Sequence, residues 1–383
     1  MDNPKAIINL ENISHNVSQI KKTVNTSKIL AVIKADAYGH GASKIATHLE
    51  SNPAISAYGV SRYSEAKRLF DAGVKKPILL MEGVISFEQL ISAVEHQFWL
   101  VVQDYEQLDL INKLFNQSQS LSNIAPLNIW LKFDSGMHRL GIPIDDQIIK
   151  QVLILIYQLI EKNVVNSRVI IMSHLACADD LKHSLNYLQL EKFNDLMQHC
   201  KIFEQDKNII FEYSLANSAG IFGWPSSFFD WVRPGISLYG SSPIVGKTSH
   251  QLNLKPSMKL LSKVIALKAI KSGDSVGYGA SWLATKATKL GIIASGYADC
   301  YPRTPSEHAV VWLNNKKCSI LGRVSMDMLA IDCSDLADNE IAIGNNVELW
   351  GNHITIDEAA HACNTVSYEL YTRITSRVEK VYI

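Results

Sequence analysis

The sequence has no surplus of either charge. Its 383 residues hold 37 Lys and Arg against 37 Asp and Glu, a formal net charge of zero. That excludes a strongly basic nucleic-acid binder and an acidic tail, and it argues against an electrostatic membrane anchor. Long apolar runs are missing as well. The most apolar stretch, VLILIYQLI (152–160), falls far short of the roughly 20 residues that span a bilayer. The opening MDNPKAIINLENISHN lacks the basic start, apolar run and small-residue cleavage site of a secretory signal. The six cysteines are scattered and form no CxxC pair, so they read as buried thiols in a reducing compartment, with neither a disulfide framework nor a metal site expected. No GxGxxG or GxxxxGK[ST] pattern offers a phosphate loop. What remains is a cytoplasmic protein, 47% apolar and 19% charged, with ample material for a core and enough length for two domains.

The first 240 residues alternate. Eight β-type runs occur: ILAVIK (29–34), AYGVSR (57–62), PILLMEG (77–83), FWLVVQD (98–104), NIWLKFDSG (128–136), VIIMSHLA (169–176), IIFEYSLAN (209–217) and WVRPGISLYG (231–240). Helical patterns such as GASKIATHLE, SFEQLISAVEH and DQIIKQVLILIYQLIEK separate most of them, the last with apolar residues at three- and four-residue steps. This pattern predicts an α/β fold with an N-terminal (β/α)8 TIM-like barrel over residues 10–250. A doubly wound open sheet is the alternative. Beyond residue 250, runs such as LLSKVIALKAI, HAVVWLNN and NVELWG follow one another almost without helix, which predicts a mainly-β C-terminal domain over 251–383. One short helix is expected at TIDEAAHACN, capped by Thr355. Residues 1–9 belong either to the barrel or, as an added strand, to the β domain.

In such a barrel the chemistry lies at the C-terminal strand ends. There the sequence places Lys34, Lys132 with Asp134 and Arg139, His174, Asn217 with Ser218, and Arg233 with Gly235. A lysine ending an apolar strand either snorkels at the barrel mouth or is used, for example as a Schiff-base amine with a depressed pKa. SLANSAG and RPGISLYG close strands seven and eight, where backbone N–H groups and hydroxyls often bind phosphate. Taken singly, these segments read as turn chemistry. A lysine at strand one facing a phosphate site at strands seven and eight fits pyridoxal 5'-phosphate.

These segments resemble the bacterial alanine racemases, fold-type III pyridoxal-phosphate enzymes. AVIKADAYGHG (31–41) is similar to their cofactor-attachment segment. KFDSGMHRLG, MSHLACAD, ANSAG, RPGISLYG, SVGYGASW, SGYADCYPR, GRVSMDM and SYEL follow in family order over nearly the whole chain. The resemblance implies the following roles. Lys34 holds the cofactor and acts as base on one face of the substrate; Tyr278 works on the other. Arg233 meets the pyridine nitrogen and His174 supports it. Tyr38, Asn217, Ser218, Gly235, Ile236 and Tyr368 bind the phosphate. Arg139 and Met326, the latter beside Asp327, reach the substrate. Lys132 matches a lysine carbamylated in many members, and Tyr297 lines the way in. Ser135 and Ser325 stand where some members carry Thr and Cys, both small replacements. By themselves Tyr278 would read as a packed strand tyrosine, His174 as a core histidine and Arg233 as a barrel-rim ion pair.

The resemblance further implies a homodimer whose active sites are shared, with Tyr278 and Met326 coming from the partner copy. It implies a two-base interconversion of L- and D-alanine that supplies peptidoglycan. Arginine keeps its proton, so Arg233 at the pyridine nitrogen would limit charge delocalisation into the ring. A tyrosine has an ordinary pKa near 10, so Tyr278 would need cations such as Arg233 and His174 nearby. Three alternatives remain open: a racemase of another or several amino acids, a fold-type III decarboxylase, and a non-catalytic cofactor carrier.

Overall fold

A computed structural model describes residues 4–117, 125–205 and 207–383. The chain opens with β1 (Lys5–Ile8) and the helix Leu10–Val24. The next strands alternate with helices: β2 (Lys28–Val32), β3 (Ile55–Val60), β4 (Ile78–Leu80), β5 (Trp99–Val102), β6 (Ile129–Asp134) with the two-residue β7 (Ile142–Pro143) at its edge, β8 (Arg168–Met172), β9 (Ile210–Asn217) and β10 (Trp231–Arg233). They pair in parallel in the order β5-β4-β3-β2-β10-β9-β8-β6, and β5 pairs with β6 to close the ring. This is the expected eight-stranded barrel; the open sheet is ruled out by that last pairing.

Periodicity explains the layers. In the helix Asp146–Glu161, Ile149, Val152, Leu153, Ile156 and Leu159 are buried, one stripe against the strands. Asp145 caps it, its carboxylate accepting from the Gln147 and Ile148 N–H groups. The strands are buried on both faces and hence read as continuous apolar runs.

The strand starts are tied together by one carboxylate. Glu212 of β9 accepts from Lys28 Nζ at 2.8 Å, Trp231 Nε1 at 2.5 Å and Arg168. Trp99, Trp130 and Trp231 pack around this end with ring centroids 5.2–6.5 Å apart. The far end of the barrel is left for chemistry.

The remaining strands are antiparallel apart from the last: β11 (Met258–Ile270), β12 (Ser275–Val276), β13 (Trp282–Leu283), β14 (Thr288–Ile293), β15 (Val310–Leu313), β16 (Lys316–Leu321), β17 (Leu329–Asp332), β18 (Asn346–Trp350) and β19 (Glu379–Tyr382). The long β11 pairs β18 with its first half and β14 with its second, so the sheet also closes on itself. β1 joins this second sheet, antiparallel to β11 and parallel to β19. The helix Ile356–Ala362 forms where expected, with a Thr355/Glu358 capping box. A second helix, Ser367–Thr372, was not foreseen; it carries Tyr368. Among the described residues, no helix is long and apolar enough to cross a membrane.

The knot at the barrel base predicts that Glu212→Gln lowers unfolding stability by roughly 2–4 kcal/mol, because two cations and an indole lose their anionic acceptor. Urea denaturation checks this. Ligand binding at the opposite end should stay as in the wild type.

Candidate active site

The first functional side chain sits on a turn of unusual hand. β2 ends at Val32, and Lys34 opens a turn in which Ala35, Asp36, Ala37 and Tyr38 all have φ of 51–55°. Left-handed backbone costs L-residues about 1–2 kcal/mol each, so four in a row need outside support. Glu65 accepts the Ala35 N–H at 2.6 Å. Asp36 accepts the Ala42 N–H at 2.9 Å and pairs with Lys380 of β19. Gly39 follows with φ 78°, and a Cβ there would lie 2.1 Å from the Tyr371 carbonyl oxygen. The turn is thus clamped from the second domain.

Lys34, Tyr38, Arg139, His174, Asn217, Ser218, Arg233, Gly235, Ile236 and Tyr368 all line one cavity of about 510 Å³. Its cations crowd. Burial, then Arg139, lowers the Lys34 pKa. Lys132, buried just behind the wall, is pushed down to about 8 by burial, then by Arg139, Arg233 and Lys34. Burial, then Arg233, Arg139, Lys132 and Lys34, holds His174 well below the usual histidine range. It is therefore neutral, and its Nδ1 accepts from Arg233 at 3.4 Å.

Arg233 is buried and donates to Ser214 Oγ at 2.6 Å, to the Ser173 carbonyl at 2.5 Å and to the Leu215 carbonyl at 3.2 Å. Among the described residues its Nε has no hydrogen-bond partner. A buried N–H without an acceptor is costly, so this one asks for a ligand atom. At the other end of the cavity, Ser218 Oγ accepts from the Gly235 N–H at 2.8 Å and sits 3.1 Å from Ser237 Oγ. Asn217 caps the short helix Ser218–Gly223 through the Gly220 N–H. A Cβ on Gly235 would lie 2.5 Å from the Tyr38 hydroxyl, so only glycine leaves this cradle open. Arg139 reaches the cavity from a loop folded on Asp134, whose Oδ1 accepts from the N–H groups of Gly136, Met137 and His138.

The structure does not bring every singled-out residue together. Tyr278 lies in a turn between β12 and β13, 66% exposed, and is not part of the cavity wall. It is not a packed strand tyrosine. Met326 is 52% exposed, beside Asp327, which pairs with Arg377 at 2.7 Å. Tyr297 borders a separate groove with Arg303 and Arg373. Some participants escaped the sequence reading. Val32, Ala35, Met81, Val366, Glu369 and Thr372 complete the wall. Ser173 and Ser214 hold Arg233. Gln189 braces the His174 carbonyl and Ser135 Oγ from a helix. Only Glu65 had a visible signal, its capping position three residues after Arg62.

A barrel whose mouth gathers a lysine, a buried arginine and the hydroxyls of Tyr38, Ser218 and Tyr368, joined to a β domain that clamps the lysine turn, is the architecture of a barrel enzyme. Residues 8–243 match the family model "Alanine racemase, N-terminal domain" and residues 257–382 match "Alanine racemase, C-terminal domain". The chain is 42% identical to the alanine racemase of Vibrio cholerae over 378 residues, 98% of this chain and 97% of that one. Its structure is similar to the biosynthetic alanine racemase of Pseudomonas aeruginosa, with a TM-score of 0.90, 37% identity and full coverage of both chains. It is also similar to the alanine racemase of Bartonella henselae with covalently bound pyridoxal phosphate, with a TM-score of 0.85, 29% identity and full coverage of both chains. The chain belongs to the alanine racemase family of isomerases.

The buried neutral histidines make stability depend on pH. Burial lowers His40 to about 4, while an unfolded histidine titrates near 6.5. The unfolded chain therefore binds more protons between those values, and stability falls as pH drops through that window. His40 alone contributes roughly 3 kcal/mol across it, and His174 acts in the same direction. Urea midpoints should fall steadily from neutral pH toward pH 4, and His40→Asn should flatten the slope.

Proposed function

We propose that this chain interconverts L- and D-alanine using pyridoxal 5'-phosphate attached to Lys34, in a homodimer whose second copy completes each cavity. The observation that carries this reading is the pairing, in one cavity, of a pKa-lowered lysine with a buried arginine whose Nε lacks an acceptor. The residues fit the cofactor. Lys34 supplies the amine. Arg233 Nε would serve the pyridine nitrogen. Tyr38, Asn217, Ser218, Tyr368 and the backbones of Gly235 and Ile236 hold the phosphate. When bound, the cofactor supplies the electron sink that makes the alanine α-proton removable.

The chain's own groups do the rest. The lowered pKa of Lys34 raises its neutral fraction, so the amine takes or returns a proton on one face. Tyr278 of the second copy serves the opposite face, and Met326 of that copy helps enclose the substrate. The exposure of both on a single chain supports this sharing. Of the two cations expected beside Tyr278, His174 is neutral, which leaves Arg233. Burial pushes Arg233 down to about 9, yet it stays protonated near neutrality and would give no proton up to the ring nitrogen. Arg139 binds the alanine carboxylate, and Tyr297 lines the way in. The Lys132 amine, pushed down to about 8, takes up carbon dioxide as a carbamate with release of a proton. The resulting anion holds Arg139 in place.

We place the enzyme in the cytoplasm, where D-alanine feeds peptidoglycan, and we divide the chain near residue 250 into barrel and β domain. Proton NMR of the protein with L-alanine and pyridoxal phosphate in deuterated water tests the chemistry. Loss of the α-proton signal with D-alanine appearing is the expected result. Exchange without D-alanine would remove Tyr278 from the mechanism, and no exchange would contradict the alanine reading. Lys34→Ala should abolish the reaction and the visible band of lysine-bound cofactor. Tyr278→Phe should keep the band and lose about a hundredfold or more in kcat.

A further inference from the structure

His40 lies outside the cavity wall and takes no part in the chemistry above, yet it is fully buried and completely engaged. Its Nδ1 is 2.9 Å from the Tyr38 carbonyl oxygen and 3.1 Å from that of Ala37. Both are acceptors, so Nδ1 must carry a hydrogen. Its Nε2 is 2.9 Å from Ser257 Oγ, which is also 2.8 Å from the Tyr239 carbonyl. That carbonyl already accepts the Ser257 N–H at 3.2 Å. The imidazole is neutral, so its bare Nε2 is best satisfied by the Ser257 hydroxyl. The ring is stacked on Tyr239 at 4.5 Å and meets the edge of Tyr371 at 4.8 Å. Its own carbonyl accepts from the Tyr382 hydroxyl at 3.1 Å.

The two carbonyls it holds belong to the left-handed turn. We infer that His40 is the positioning residue for Lys34 and Tyr38: its Nδ1–H holds the Ala37 and Tyr38 carbonyls in left-handed geometry, and its Nε2 anchors that turn to the second domain through Ser257. This rests on the reading of Lys34 as the cofactor lysine. The turn carries the amine at one end and, at the other, the Tyr38 hydroxyl beside Gly235. A right-handed relaxation of Ala37 and Tyr38 would move the phosphate end relative to the amine end. His40 therefore sets the separation between the Lys34 amine and the Tyr38 hydroxyl.

Three variants test it. His40→Asn keeps a donor near the Nδ1 position. His40→Phe keeps the ring between Tyr239 and Tyr371 without a donor. His40→Gln places its amide near Nε2 instead. The readouts are the dissociation constant of pyridoxal 5'-phosphate from the apo-protein, the visible band, kcat and KM for L-alanine, and Tm. For His40→Phe the cofactor dissociation constant should rise about tenfold, the yield of one lost buried hydrogen bond. The visible band should shift and kcat should fall, with KM within about twofold of the wild type. His40→Asn should recover most of the loss. A His40→Phe protein with wild-type affinity, band and kcat and only a lower Tm would overturn the inference. If His40→Phe does not fold, the other two decide: Asn should outperform Gln, and equal behaviour would overturn it.

The cofactor reading fails separately, if the wild type binds no pyridoxal phosphate or Lys34→Ala retains the visible band. Nitrogen-15 spectra of the histidine-labelled apo-protein then judge His40 by itself. Near neutral pH they should show Nδ1 protonated and Nε2 bare; the opposite tautomer would overturn the inference.

Discussion

The barrel mouth concentrates positive charge. Lys34, Lys132, Arg139 and Arg233 stand within electrostatic reach of one another and of His174. In a partly desolvated site such repulsion has to be relieved. It is relieved in part by protons leaving: His174 is neutral and the two lysines are depressed. The remainder awaits negative charge from outside. A phosphate, a substrate carboxylate and a carbamate on Lys132 would each answer a different cation. The excess positive charge therefore favours anionic ligands before any contact is specific.

The second constraint is mechanical. The lysine turn has the wrong hand for L-residues and contains no glycine between Ala35 and Tyr38. Glu65 of the barrel supports it at Ala35, and the rest of the support comes from the β domain: Lys380 on Asp36, the Tyr371 carbonyl against Gly39, Tyr382 against Gly41, and Ser257 through His40. These contacts make the β domain a support of the cavity even though, apart from Val366, Tyr368, Glu369 and Thr372, it contributes little to the cavity wall. The C-terminal segment that delivers Lys380 also delivers Arg377, which holds Asp327 next to the exposed Met326. One segment thus braces a chain's own lysine and the loop we assign to its neighbour's site.

Much of the fold was legible because its physics is local. Strands buried on both faces read as apolar runs, and the helix Asp146–Glu161 shows its stripe without help. The helix Ser367–Thr372 was not legible: it is six residues long, and its N-cap, Val366, makes no side-chain hydrogen bond. Tyr368 was found only through the SYEL resemblance. The polar strand-end residues were visible as misfits in apolar runs. Ser173 and Ser214 were not, because a small hydroxyl in a strand looks like any other until Arg233 is seen to lean on it. The left-handed turn could not be read either, since its cause lies more than 200 residues away in Ser257 and Lys380. Tyr278 is the extreme case. It is 66% exposed and outside the cavity wall, and the resemblance alone marked it.

Sharing between copies is the claim on which the mechanism turns. It is tested most directly by mixing Lys34→Ala and Tyr278→Phe chains under conditions that exchange subunits. Each variant alone should be inactive. Random pairing makes about half the dimers mixed, each with one intact site, so activity should return to about a quarter of the wild-type level. A mixture as inactive as its components would mean that Lys34 and Tyr278 serve the same site from the same chain, and would contradict this account.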